Sequence, residues 1–414
     1  MNKLLILFCS IFTSSGFAAY SNYSSVMIGD RAAGMGGAFT ALTGDPSAVV
    51  YYNPATIAQM KGHSLSASAN VYHKYDSAYG EDASSSDATE RVNQGAFRSI
   101  PSASGSILSY GHFAFGLSII VPDNNYYIGQ INNENDNIST LNLSDQSLWV
   151  GVGFGKNLTP NTAWGVSFYY TSLDAQYTSN DQSQINAGAD TKLFNEERVY
   201  TNNALVTTLG GYHKFNDKWS IGLSYRGPSI EIAGQGSYFS TELDTSISNS
   251  ATQTYEKSVQ TDQKISSRIA LGVSYTDLDK YTFAADVTHH AGGSHSDFED
   301  ASFARTTTYR PVTNLHLGAE KIINKYVKIR AGVFTNFSAH PEVSDSTSYE
   351  ADSVDMWGFS LNAGIFTTEK NSFTFGGYYT GGDGFSKQTI DGSFQKVAVS
   401  KEIFSMLISS AYFF

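Results

Sequence analysis

From residue 62 onward, hydrophobic and polar positions alternate with a period of two. Trp164, Val166 and Phe168 are interleaved with Gly165, Ser167 and Tyr169, and Trp219, Ile221, Leu223 and Tyr225 with Ser220, Gly222, Ser224 and Arg226. The same rhythm holds for 113–119, 148–154, 269–275, 281–287, 327–333, 359–365 and 373–379. Alternation of this kind predicts strands with one apolar face and one small or polar face, and no helical stripe competes with it.

The connections alternate as strictly as the residues do. Short links are expected near Gly111 and at 156–161, 216–218, 277–280, 324–325 and 369–371. Long stretches rich in Ser, Asn and Asp fall between them, at 77–98, 123–145, 178–198, 237–258, 290–302, 338–353 and 381–393, and are expected to be loops. Six short turns and seven long loops join fourteen strands, from near Gly62 to Phe414. An even strand count, with short turns at one end and long connections at the other, predicts an all-β fold, a fourteen-stranded antiparallel transmembrane β-barrel.

An aromatic residue follows each short turn: Phe113, Trp164, Trp219, Tyr281, Tyr326 and Phe373. All but Tyr326 share parity with the apolar face of their strand, as an interfacial girdle requires. The chain ends with Phe404, Met406, Ile408, Tyr412 and Phe414 on one face. An aromatic terminus of this parity resembles the insertion signal of bacterial outer-membrane barrels.

Composition fits this reading. The 26 Phe, 26 Tyr and 4 Trp supply too much burial potential for a disordered chain. Beyond the N-terminus no apolar run reaches the ~18 residues that a membrane helix needs. The formal charge of −12 excludes a nucleic-acid footprint. Residues 1–19 carry Lys3, an apolar run from Leu4 to Phe12 and the small residues Ala18 and Ala19, the pattern of a secretory signal. Cys9, the only cysteine, lies within it, so the mature chain is expected to have no disulfide, thiolate metal site or Cys nucleophile.

Residues 20–61 break the barrel rhythm. Gly29-Asp30-Arg31-Ala32-Ala33-Gly34-Met35-Gly36-Gly37-Ala38-Phe39 is followed by Asp45-Pro46-Ser47-Ala48 and then Asn53-Pro54-Ala55. Small residues that allow close backbone approach, and breaks before the prolines, predict a compact plug of short helices and turns. Fourteen strands leave a lumen too wide for side chains alone to fill.

These runs resemble the FadL family of outer-membrane transporters, whose members carry hydrophobic molecules such as long-chain fatty acids and aromatic hydrocarbons. Leu223 to Ile232 and Arg268 to Tyr275 also look like that family's central hairpins. The resemblance implies a signal peptide at 1–19, an N-terminal hatch at 20–61 inside a barrel at 62–414, and gating roles for Gly34, Gly36, Gly37, Asn53, Pro54 and Ala55. It further implies a monomeric passive transporter of the bacterial outer membrane, in contact with lipid, that takes a hydrophobic ligand such as a fatty acid and releases it sideways through the wall. Pro122 and Pro228 are markers for a wall opening. A plugged barrel acting as scaffold or shuttle for secreted proteins, and a general polar porin, are the rival readings.

Other chemistry is poorly supported. Gly34-Met35-Gly36-Gly37 follows no strand and has Phe39 where a dinucleotide fingerprint needs glycine, and Gly151 to Lys156 is followed by Asn157 where a phosphate loop needs Ser or Thr. His289, His290 and His295 with Asp297 offer metal-ligand types, but solvated loop histidines are commoner. No nucleophile elbow is present, so neither an enzyme nor a cofactor is expected. Strand parity instead points to Arg226 and Arg268. Each lies nine positions above its short turn on an inward face, where the pair can bind a carboxylate or can be neutralised by Glu320 or Asp286.

Overall fold

A computed structural model describes residues 22–79, 90–94, 99–133, 137–185, 189–248, 250–262, 264–277, 280–345, 347, 351–390 and 393–414. The expected signal segment with Cys9 and part of the first long connection lie outside these residues.

The wall begins with β1 (Ser64–Tyr79), whose partner strand is in two pieces, β2 (Glu90–Gln94) and β3 (Ile100–Tyr110). Four long strands follow, β4 (Phe113–Asn133), β5 (Asn137–Thr159), β6 (Thr162–Ile185) and β7 (Asp190–Lys214). The next two wall strands are split, β8 (Trp219–Arg226) with β9 (Ile230–Asp244), and β10 (Thr252–Val259) with β11 (Arg268–Asp277). After β12 (Tyr281–His290), a small separate hairpin is formed by β13 (Gly293–Ser296) and β14 (Thr306–Tyr309). The wall resumes with β15 (Val312–Asn324) and β16 (Val327–Asn336), then β17 (Ala351–Val354) with β18 (Met356–Phe366). It ends with β19 (Asn371–Ile390) and β20 (Ser393–Phe413). β20 pairs with β1, from Ser64 opposite Phe413 upward, and closes a fourteen-stranded antiparallel barrel.

The alternation sets which face meets which medium. Phe115, Leu117 and Ile119 on β4, Leu223 and Tyr225 on β8, Leu315 and Leu317 on β15, and Phe404 and Met406 on β20 are apolar and all exposed on the outer face. A continuous apolar belt around a closed barrel is the surface that lipid covers. Phe113, Trp164, Trp219, Tyr326 and Phe373 are exposed beside the short turns, forming one edge of that belt. Tyr326 belongs to the turn between β15 and β16, which explains its odd parity.

Four of the long polar stretches, 123–145, 178–198, 237–258 and 381–393, are strand for most of their described length, whereas 290–302 and 338–353 are mostly loop as expected. Residues 123–133 and 137–145 extend β4 and β5 as a paired hairpin, and 178–185 with 190–198 do the same for β6 and β7. Ser, Thr and Asn on both faces abolish the alternation that marks a lipid-facing strand, while the backbone ladder continues regardless. The wall is irregular beside both proline markers. β4 bulges between Ile120 and Asp123, and Gly227–Ser229 separates β8 from β9.

Candidate ligand site above the N-terminal segment

Residues 22–60 lie inside the barrel. They form two short helices, α1 (Asp30–Gly34) and α2 (Val49–Tyr52), and a 3-10 helix, Pro54–Gln59. Met35, Phe39, Val49, Val50 and Ile57 form one buried cluster with inward residues of the wall such as Ile107, Ile120 and Trp149.

Wall glycines give this segment its seats. Gly155, Gly165 and Gly210 are successive partners across β5, β6 and β7, and the space beyond each is filled by Asn53, Pro54, Ala55 and their neighbours. Gly318 and Gly332 face one another on β15 and β16, and Met35 and Gly36 occupy the space beside them. Gly36 and Gly37 adopt φ of 65° and 82°, which side-chain-bearing residues rarely reach. Any side chain at Gly34 would collide with Asn362.

Polar contacts complete the docking. Asn53 caps the 3-10 helix by accepting from the Ala55 amide at 3.1 Å, and its Nδ2 donates to the Thr40 carbonyl at 2.8 Å and the Gly211 carbonyl at 3.0 Å. Asp286 accepts from the amides of Phe39 and Thr40 at 2.8 and 2.7 Å, and the His316 ring meets the Gly36 carbonyl at 2.8 Å. Arg31 and Arg330 both pair with Glu320, at 2.8 and 2.6 Å. Glu320 and Asp286 are therefore committed to the inner segment and its latch. Neither forms an ion pair with Arg226 or Arg268.

Arg226 and Arg268 are direct partners between β8 and β11, and His290 on β12 is the next partner in the same row. All three side chains are buried on the inner face. Arg226 lies 5.5 Å above the Trp149 ring and donates to the Ser266 carbonyl at 3.4 Å. Arg268 lies 5.0 Å above the Tyr51 ring and donates to the carbonyls of Tyr51 and Tyr52, at the end of α2, at 3.2 and 3.4 Å. Tyr51 and Trp149 pack edge to face at 6.1 Å, and Tyr23 stacks on His290 at 3.9 Å. Among the described residues, the Nε of each arginine, Nδ1 of His290 and Nε1 of Trp149 have no hydrogen-bond partner. Two guanidiniums beside an imidazole, above an aromatic floor and with buried donors unmet, suit an amphiphile bearing an anionic head.

His290 and Trp149 were legible only in part. His290 lies as far from the short turn as Arg268 does, and Trp149 breaks the small-residue face of Gly151, Gly153 and Gly155. The four metal-ligand types do not converge. His289 faces outward and contacts Thr313, while Asp297 pairs with Arg198 at 2.6 Å. Among the described residues, Glu231, Asp262 and Glu299 come close enough for one cation. Lys264 pairs with Asp262 and Asn202 donates to Glu231, both at 2.8 Å.

No protein-family model and no curated protein matches the sequence. Among solved structures, the fold is similar to a Pseudomonas aeruginosa FadL homologue, with a TM-score of 0.72 and 14% identity over 96% of this chain and 100% of that one. It is also similar to the P. putida toluene transporter TodX, with a TM-score of 0.68 and 11% identity over 93% and 98%. The Ralstonia pickettii toluene transporter TbuX follows with 0.61 and 13% over 93% and 98%. At these identities the likeness is one of fold.

Proposed function

We propose that the protein is a passive bacterial outer-membrane channel for small hydrophobic molecules, and that its preferred ligands carry a carboxylate, as long-chain fatty acids do. The observation that carries this reading is the buried Arg226–Arg268–His290 row, which has no acidic partner among the described residues and lies over an aromatic floor directly above the inner segment. The shared fold with a FadL homologue and with toluene transporters supports the hydrophobic class of ligand. In this reading residues 20–61 act as a hatch, with Gly34, Gly36, Gly37, Asn53, Pro54 and Ala55 as its seats.

The contacts of Arg268 give a route from binding to opening. Its bonds to the Tyr51 and Tyr52 carbonyls are long, at 3.2 and 3.4 Å. A carboxylate forms shorter, charge-assisted bonds to a guanidinium and displaces them. That frees the end of α2, and Asn53 follows it immediately in the chain. An apolar tail then leaves sideways into lipid, which spares it a passage through water.

Equilibrium binding to the purified protein tests the proposal, with stearate and a matched neutral alkane as probes. Stearate is expected to bind more tightly and to raise permeation only when bound. A large steady conductance with no ligand binding would favour the porin reading, and a stoichiometric co-purifying protein would favour the scaffold.

A further inference from the structure

The unmet polar groups of the lumen extend beyond the arginine row. On β5, Asp145, Ser147 and Trp149 share the inward face. Asp145 is 1% exposed, yet among the described residues its Oδ1 has no hydrogen-bond partner and it makes no ion pair. Its neighbour Asp123, on β4, accepts from Ser147 Oγ at 2.8 Å. Tyr200 and Tyr309 lie within electrostatic reach of the Asp145 carboxyl. A buried acceptor with nothing to accept from is costly, and a wall position with no polar task would carry an apolar residue instead.

Position gives the acceptor a task. Asp145 is four residues along the strand from Trp149, the ring that Arg226 covers, which is roughly 13 Å at the rise of a β-strand. We propose that Asp145 is a second polar contact for the ligand held by Arg226 and Arg268, accepting a hydrogen bond from a hydroxyl carried along the chain. The channel then favours hydroxylated acyl acids over plain ones. A hydroxyl is the fitting donor because a carboxyl keeps its acceptor oxygen whether or not it is protonated, whereas an ammonium would need the ionised form. This inference rests on the carboxylate reading of the arginine row.

Competition binding on the purified full-length barrel tests it, with stearic acid and a stearic acid hydroxylated at mid-chain as probes. The native protein should bind the hydroxylated acid about tenfold more tightly, the gain expected for one buried hydrogen bond. Asp145→Leu should abolish that preference and leave stearic acid unchanged, while Asp145→Asn, whose amide oxygen still accepts, should keep part of it. Heat-dependent gel mobility confirms that each variant is folded. Equal affinity of the native protein for the two acids, or a preference that survives Asp145→Leu, overturns the assignment and leaves the carboxylate reading intact. If neither acid binds, the carboxylate reading falls and dodecanol against dodecane reads Asp145 alone. A preference for the alcohol that is lost in Asp145→Leu keeps the contact, and no preference removes it.

Discussion

Arg226 and Arg268 are directly opposed between β8 and β11, on the same inner face, with no carboxylate among the described residues paired to either. Two like charges side by side at such burial repel one another and gain from any anion that bridges them. Arg226→Ala or Arg268→Ala should weaken fatty-acid binding roughly ten- to a hundredfold, as follows from ~1.5–3 kcal/mol for a hydrogen bond to a charged group. A neutral hydrocarbon should be far less affected. Titrating both ligands into each variant decides the matter: equal losses for the two, or no loss for the acid, would remove the arginines from the site.

Gly332 offers a way to unseat the inner segment without touching it. A side chain there meets the backbone of Met35 and Gly36, whereas Gly211 has nothing within 4 Å of the corresponding space. Val is a good strand residue at both positions, so Gly332→Val should fold as a barrel but conduct more than the native protein. Gly211→Val should conduct as the native protein does. Single-channel recording in planar bilayers checks both, and a Gly332→Val barrel as tight as the native one would mean that the segment does not depend on this seat.

The sequence was legible wherever the two faces of a strand meet different media. Leu223 and Tyr225 against Ser224 and Arg226 disclosed a strand, its lipid face and a lumen arginine together. The hairpin formed by 123–133 and 137–145 disclosed nothing, because Ser, Asn and Asp occupy both of its faces and leave no alternation to read. Asp145 was hidden for that reason, inside a stretch that resembled a loop. The fate of Asp286 was hidden for another. Its partners are the backbone amides of Phe39 and Thr40, and a main-chain donor on a distant segment leaves no mark in the residue types.

Phe414 ends the chain on the outer face. Its amide donates to the His63 carbonyl at 2.9 Å, its ring packs edge to face with Tyr412 at 4.6 Å, and its side chain is 65% exposed. Removing a ring that buries so little should change the stability of the folded barrel by no more than ~0.5 kcal/mol, the usual range for surface changes. Its parity nonetheless matches an insertion signal, so deletion of Phe414 should lower the yield of folded protein in the outer membrane. Denaturation of the purified variant alongside its membrane yield separates the two effects. An unchanged yield would leave Phe414 with no assembly role.

The carboxyls of Asp30 and Asp45 are buried together in the inner segment. Burial works against the charge on Asp30, but the Arg330 guanidinium and the Thr374 hydroxyl outweigh it and hold Asp30 below its usual range. Burial, and then the Asp30 charge, push Asp45 up to about 7, against donors from Ser47 and the Arg31 amide. The docked segment therefore binds more protons than an undocked one, whose Asp45 has the ordinary value of 3.8. The contribution of Asp45 to docking then falls as pH rises from the ordinary range through about 7, and changes little above it. Conductance of the native barrel should be lowest in mildly acidic solution, climb toward neutrality and level off. Asp45→Asn, which cannot ionise, should flatten that rise. Recording both proteins across this range tests the linkage, and a native conductance that stays constant or falls as pH rises would show that the Asp30–Asp45 pair does not govern docking.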